Sequence, residues 1–245
     1  MQMFVLHTNN PDSFYLSSLP GSRVTPDTDQ ERINMTKIKP AIQFDDYGSF
    51  EIVQGTVSHT FPLHIHNSVC FGTITDGTAE FYCEGRKLLK KGDSFFIPGG
   101  THHTLSAVRA QPYSYRTVCI KQSGSPFSSD EFLSRAYRFM LTMTDTPFTI
   151  KALSGYMGCS ESCLLHYFSR KCSLSPYQLY LNIRTGKIMQ GLRSGEPLLD
   201  LVHRYGFSHQ SHLCNTFRKH AGLSPEQYRK SYHLHARAGE NTASI

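Results

Sequence analysis

The chain has no CxxC pair, no zinc-ribbon spacing and no scaffold-like cysteine pattern, although it holds seven cysteines, an odd number. That usage argues against a disulfide framework and fits a reducing compartment. The first residues, MQMFVLHTNNPDSF, lack a basic n-region and a long apolar core, and no apolar run approaches a membrane span. The expectation is a soluble, cytoplasmic protein without a membrane partner. Also missing are a GxSxG elbow, a P-loop, a dinucleotide fingerprint and a recognisable carboxylate pair beside His64 and His66. An enzyme is therefore not expected.

At 245 residues the chain accommodates one large domain or two ordinary ones. Charge favours two. Residues 1–125 hold 11 basic and 11 acidic side chains, whereas 126–245 hold 14 and 8, so the net +6 lies in the C-terminal half. A basic half joined to a neutral half suggests a polyanion-binding module attached to something else; a merely solvated basic face is the bland alternative.

Residues 1–38, rich in Ser, Pro, Asp, Asn and Thr, read as an irregular arm. From 39 to 122 short runs of β-branched and aromatic residues (FEIVQGTV, VCFGTIT, TAEFYCEG, DSFFIPGG, SYRTVCIK) alternate with Gly and Pro turns, which predicts an all-β barrel or sandwich. After KQSGSPFSSD the period changes to about 3.6: Phe132, Ala136, Phe139, Met140 and Met143 mark one helical face. Beyond this point no strand-like run is expected. Residues 128–233 read as all-α, with 234–245 as a tail, so the fold class is α+β in two domains.

The helical half repeats. A shift of 49 residues aligns YMGCSESCLLHYFSRKCSLSPYQ with YGFSHQSHLCNTFRKHAGLSPEQ. Each copy has an apolar helix, a turn at Gly158 or Gly206, and a second helix with a polar outer side, which is the helix-turn-helix arrangement for entering the major groove. In the second copy Leu213 and Phe217 lie at i, i+4 and point inward, leaving Gln210, Ser211, Cys214 and Asn215 outward. Gln and Asn pair bidentately with adenine edges. Arg218, Lys219, Arg229 and Lys230 suit phosphates, as do Arg170 and Lys171 in the first copy. A plain helical bundle with solvated polar residues is the competing reading, and a tandem pair with basic exits makes it the weaker one.

GFSHQSHLCNTFRKHAGLSPEQYRK resembles the signature of the AraC/XylS family of bacterial transcription regulators, whose DNA-binding domain has two helix-turn-helix units joined by a long helix. The resemblance implies double-stranded DNA as partner, base-facing Gln210, Ser211, Cys214 and Asn215, and Ser162, Leu165 and His166 on the matching face of the first unit. It also implies activation of transcription through contact with RNA polymerase. Leu165 and His166 stand where the family usually has polar residues or Arg, so contact with a thymine methyl is what remains for Leu165. The joining helix, Pro176 to Arg193, contains Gly186 and Gly191; at about 1 kcal/mol each relative to Ala, they predict a pliable link.

The stretch HIHNSVCFGTITDG with KGDSFFIPGGTHHTLSA is similar to the two cupin motifs: His64-x-His66, then Cys70 and Gly77; Gly92, Pro98-x-Gly100, then His103. Residues at i and i+2 of a strand share a face, and the resemblance makes that face inward. Cys70 stands at the usual glutamate position, Ser58 at that of the first glycine and Ala107 at that of the final asparagine. Three readings stay open. His64, His66, Cys70 and His103 hold a divalent transition metal (Zn, Ni, Cu or Co), line a pocket for a small organic effector, or pack as the remnant of an ancestral site. A metal-dependent cupin enzyme is the remote alternative, disfavoured by the attached DNA-binding half. The short linker before the first helix leaves no obvious segment for self-association, so a homodimer has little support.

Overall fold

The computed structural model describes residues 41–143 and 148–235. The arm expected over 1–38 and most of the tail expected over 234–245 lie outside these described residues.

Eight strands come first: β1 Ala41–Asp46, β2 Phe50–Val57, β3 Val69–Asp76, β4 Thr78–Cys83, β5 Arg86–Lys90, β6 Ser94–Ile97, β7 His103–Ala107 and β8 Tyr113–Ile120. They form two sheets, β6-β3-β8-β2-β1 and β5-β4-β7, with antiparallel neighbours. Alternation explains the layering: Ile42 and Phe44 of β1, Cys70 and Ile74 of β3, Phe95 and Ile97 of β6, and Tyr113 and Tyr115 of β8 are buried, with more exposed residues between them. The short polar strands β1, β5 and β7 have weaker composition signals than the other five.

Residues 121–130 lead to α1 Glu131–Thr142, followed by α2 Ile150–Met157, α3 Glu161–Lys171, α4 Pro176–Arg193, α5 Leu198–Arg204, α6 Gln210–Ala221 and α7 Pro225–Ser231. The sequence repeat is visible as repeated capping. Ser175 accepts from Gln178 N, and the Gln178 side chain accepts from Ser175 N; Ser224 and Gln227 do the same 49 residues later, each with Pro at the first helical turn. The turn after α2 closes through Gly158 at φ 71°, and Gly206 has φ 60°. Positive φ at both explains glycine there.

Three features depart from the sequence reading. A ninth strand, β9 Tyr232–Leu234, follows α7 and adds to the large sheet parallel to β1, pairing Phe44 with Tyr232 and Asp46 with Leu234. The chain thus ends its helical half on the barrel, where no strand was expected. Second, Gly191 also has a packing role: a Cβ there would lie 2.5 Å from Leu201 Cδ2, so the glycine leaves room for that side chain of α5 against α4. Gly186, by contrast, has open space.

Third, the two halves share a core. Barrel residues Ile42, Phe44 and Val57 belong to one buried cluster with Ile188, Leu192, Leu213, Phe217 and Tyr228. Phe44 and Tyr228 meet edge to face at 4.8 Å. Each such side chain contributes about 1.5–3 kcal/mol by burial. The first helix-turn-helix has its own cluster, centred on Leu133, Met140, Leu153, Leu164 and Phe168, into which the barrel sends Ile65. Around the shared core Arg193 of α4 donates to Glu51 of β2 at 2.7 Å and to the Tyr228 hydroxyl at 2.5 Å. Asp46 of β1 accepts from Lys121 at 2.5 Å and from the Tyr232 hydroxyl at 2.7 Å.

Candidate functional sites: a DNA-reading face and a histidine cavity

In each helix-turn-helix the second helix is held by two inward residues: Leu164 and Phe168 in α3, Leu213 and Phe217 in α6, all fully buried. That leaves Ser162, Leu165 and His166 exposed on α3, and Gln210, Ser211 and Asn215 exposed on α6, with Cys214 half-buried. Arg170, Lys171, Arg218 and Lys219 are exposed at the C-terminal ends of these helices. Lys230 is also exposed and pairs with Glu226 at 3.3 Å. Arg229 differs: its guanidinium donates to the Glu196 carbonyl at 2.6 Å and is half-buried, so it braces α7 rather than standing free for a phosphate. Two residues outside the sequence-predicted set share the α6 N-terminus, His209 at the cap and His212 in the first turn, both exposed and within reach of the Ser208 hydroxyl. Their position was the available signal, since recognition helices read bases with their N-terminal residues.

The histidines gather as the resemblance to the cupin motifs implied. His64 and His103 pair through both backbone hydrogen bonds, in an isolated bridge rather than a continuous strand. Ile65 turns the other way, into the core of the first helix-turn-helix. One ring nitrogen from each of His64, His66 and His103 lies within 4.8 Å of the others.

The remaining ring contacts decide what these nitrogens can do. Nδ1–H of His64 donates to the Pro62 carbonyl at 2.8 Å, that of His66 to Ser68 at 3.0 Å and that of His103 to Thr101 at 2.9 Å. A carbonyl only accepts, so each Nδ1 carries the hydrogen and each neutral ring presents a lone pair at Nε2. Burial, reinforced by neighbouring His64, holds His66 down to about 4; burial with His64 and His66 holds His103 down to about 2. Burial also lowers His64. The cluster is three neutral imidazoles oriented by backbone carbonyls, a group that could hold a metal ion.

Cys70 stands apart from this group. Its sulfur is 3.9 Å from His66 Nε2 but donates to Cys119 across the β3–β8 pair at 2.8 Å. Cys119 carries no signal of this partnership in the sequence, because nothing local relates residues 49 positions apart.

His64 and His66 line a cavity of about 470 Å³, with Phe44, Phe61, Tyr115 and Cys119 from the barrel. Its far wall is α4, through Asn182, Gly186, Lys187, Gln190 and Arg193, together with His220 of α6.

The acid response of the metal-free protein follows from the histidines. In the unfolded chain each titrates near 6.5, while in the fold burial lowers His64 and brings His66 down to about 4 and His103 to about 2. Below about pH 6.5 the unfolded state therefore binds more protons. The stability contribution is present above that value and is lost as pH falls toward 4, by up to about 1.4 kcal/mol per pH unit per histidine. Urea midpoints measured at pH 7.5 and 5.0 are expected to fall steeply for the wild type and less steeply for His66→Gln.

Residues 47–127 match the family of AraC-like ligand binding domains, and residues 153–231 match a helix-turn-helix domain family. Over 86 residues the chain is 31% identical to Multiple antibiotic resistance protein MarA of Salmonella typhimurium, a stretch that is 35% of this chain and 68% of that one. The same values hold for MarA of Escherichia coli K12. The fold is similar to a crystal structure of a variant of apo ToxT from Vibrio cholerae strain SCE256, with a TM-score of 0.53 at 9% identity over 76% of this chain and 99% of that one. Among the described residues no helix is long and apolar enough to cross a membrane. With a ligand-binding half, a helix-turn-helix half and two thirds of MarA aligned, the chain belongs to the AraC family of DNA-binding transcription regulators.

Proposed function

We propose that this regulator is controlled by an occupant of the cavity between the barrel and α4, and that the occupant includes a divalent transition metal held by His64, His66 and His103. The observation that carries this reading is the clustering of one ring nitrogen from each histidine within 4.8 Å of the others, with each Nδ1–H engaged by a backbone carbonyl so that Nε2 is the nitrogen left to bind an ion. Nitrogen donors without a carboxylate favour Zn, Ni, Cu or Co over Mg or Ca. When bound, such an ion supplies a fixed positive charge and open coordination positions. The cavity is far larger than an ion requires, which favours a second reading, a small organic effector with or without the metal.

An occupant touching both the barrel and α4 has a way to act on DNA binding. It contacts the helix that joins the two reading heads, so its affinity depends on where that helix sits, as a ligand-driven shift requires. In this reading residues 39–122 sense and 128–233 bind DNA. Gln210, Ser211, Cys214 and Asn215, with His209 and His212 beside them, face bases in the second unit; Ser162, Leu165 and His166 do so in the first. Arg170, Lys171, Arg218, Lys219 and Lys230 meet phosphates. Activation through RNA polymerase is the family's mode and is assigned here on that ground; nothing described supports a dimer interface.

Elemental analysis and calorimetric titration of protein purified without a metal-binding tag test the metal assignment. About one ion per chain is expected, with affinity weakened at least about 100-fold in His64→Ala and His103→Ala. No ion near stoichiometry, and none acquired on titration, would refute the metal and leave the organic effector.

A further inference from the structure

Cys70 of β3 and Cys119 of β8 form a site that neither the histidine cluster nor the DNA face uses. They are direct partners in the β3–β8 register, with their sulfurs 2.8 Å apart. Facing residues on antiparallel strands have Cα atoms about 4.5–5.5 Å apart, within the roughly 4.4–6.8 Å that a disulfide spans. Joining the sulfurs therefore needs side-chain rotation and little backbone movement. The two thiols differ in access: Cys70 is 1% exposed, whereas Cys119 is half-buried and lines the cavity.

We propose that Cys70 and Cys119 are a reversible thiol–disulfide site in the cavity wall, oxidised by hydroperoxides that enter the cavity. Cys119 is the thiol that such a molecule meets. Its sulfur attacks the terminal peroxide oxygen, the O–O bond breaks, an alcohol (water, for hydrogen peroxide) leaves, and Cys119 becomes a sulfenic acid. The Cys70 sulfur then attacks the Cys119 sulfur. The S–S bond forms, the S–O bond breaks, and the hydroxyl leaves with the Cys70 proton as water. In sum the two thiols lose two electrons and two protons, and the hydroperoxide is reduced to alcohol and water. A small dithiol restores both cysteines by exchange. The bond ties together two strands beneath the cavity and removes both S–H groups from its surroundings, so oxidation changes what the cavity holds. The site requires the cavity and no metal.

The test uses the full chain, reduced and stripped of metal by a chelator, then exposed to a small molar excess of hydrogen peroxide, alkylated and digested. The expected product is a Cys70–Cys119 linked peptide that disappears on treatment with dithiothreitol. Cys70→Ser is expected to leave Cys119 as a sulfenic acid captured by dimedone, and Cys119→Ser to leave Cys70 alkylatable. Cys159 and Cys163 near the start of α3, which also interact with each other, serve as the comparison. If both Cys70 and Cys119 are fully alkylated after denaturation while that pair or Cys83 has oxidised, the proposal is wrong. The wild-type peptide map decides this without any variant having to fold. Metal uptake by the reduced protein is a separate measurement, so failure of the thiol site and failure of the metal reading are distinguishable.

Discussion

Replacing Arg193 by Met is expected to cost about 3–5 kcal/mol of stability, the usual loss when one partner of a buried ion pair is removed. The loss exceeds that of a surface pair because Arg193 and Glu51 are only 23% and 11% exposed at their side chains. Burial already lifts the Glu51 carboxyl above its ordinary range, against the pull of Arg193 and Lys121. Without the guanidinium this carboxylate is left in the protein with less compensation, and the Tyr228 hydroxyl loses its donor. Urea unfolding checks the magnitude. The double substitution Arg193→Met with Glu51→Gln is expected to cost clearly less than the sum of the two singles, because the second change removes the stranded charge. Additive losses would show that the pair does not couple β2 to α4.

Gln210→Ala with Asn215→Ala is expected to weaken binding to an operator selected in vitro at least about 30-fold, since each bidentate base contact contributes about 1–3 kcal/mol. Both side chains are exposed, so the fold should be unaffected, and binding to random-sequence DNA should persist through the phosphate contacts. Lys219→Ala provides the contrast: it should weaken specific and non-specific binding alike and reduce the salt dependence by about one counterion. Unchanged specific affinity of the double variant in a gel-shift titration would remove these two residues from the reading face.

Much of this architecture is legible because its causes are local. The change of hydrophobic period separates strands from helices, and the repeat that aligns Ser175, Pro176 and Gln178 with Ser224, Pro225 and Gln227 marks the same helix start twice. The His64-x-His66 alternation places two imidazoles on one side with Ile65 on the other, and the resemblance to cupin motifs adds His103. Cys70 shows where that logic stops. Its spacing matched a ligand position, but its sulfur is turned to a partner on another strand that no spacing pattern names. Arg229 likewise suits a phosphate by its charge and its place near a helix end, and is taken instead by a carbonyl on a neighbouring segment.

Periodicity and i, i+2 alternation act over a few residues, so the two kinds of structure, the tandem helix-turn-helix pattern and the His64/His66 pair can be read from the chain alone, while His103 enters through the resemblance to the cupin motifs. Long-range packing alone sets the shared core of the barrel and the second helix-turn-helix, the wall that α4 gives the cavity, and the return of the chain as β9 to the edge of the barrel sheet. Those contacts join residues as far apart as Glu51 and Arg193, or Asp46 and Tyr232, 142 and 186 positions along the chain. Pairings at that distance leave no periodic trace, since each side chain satisfies its local element equally well with or without its partner.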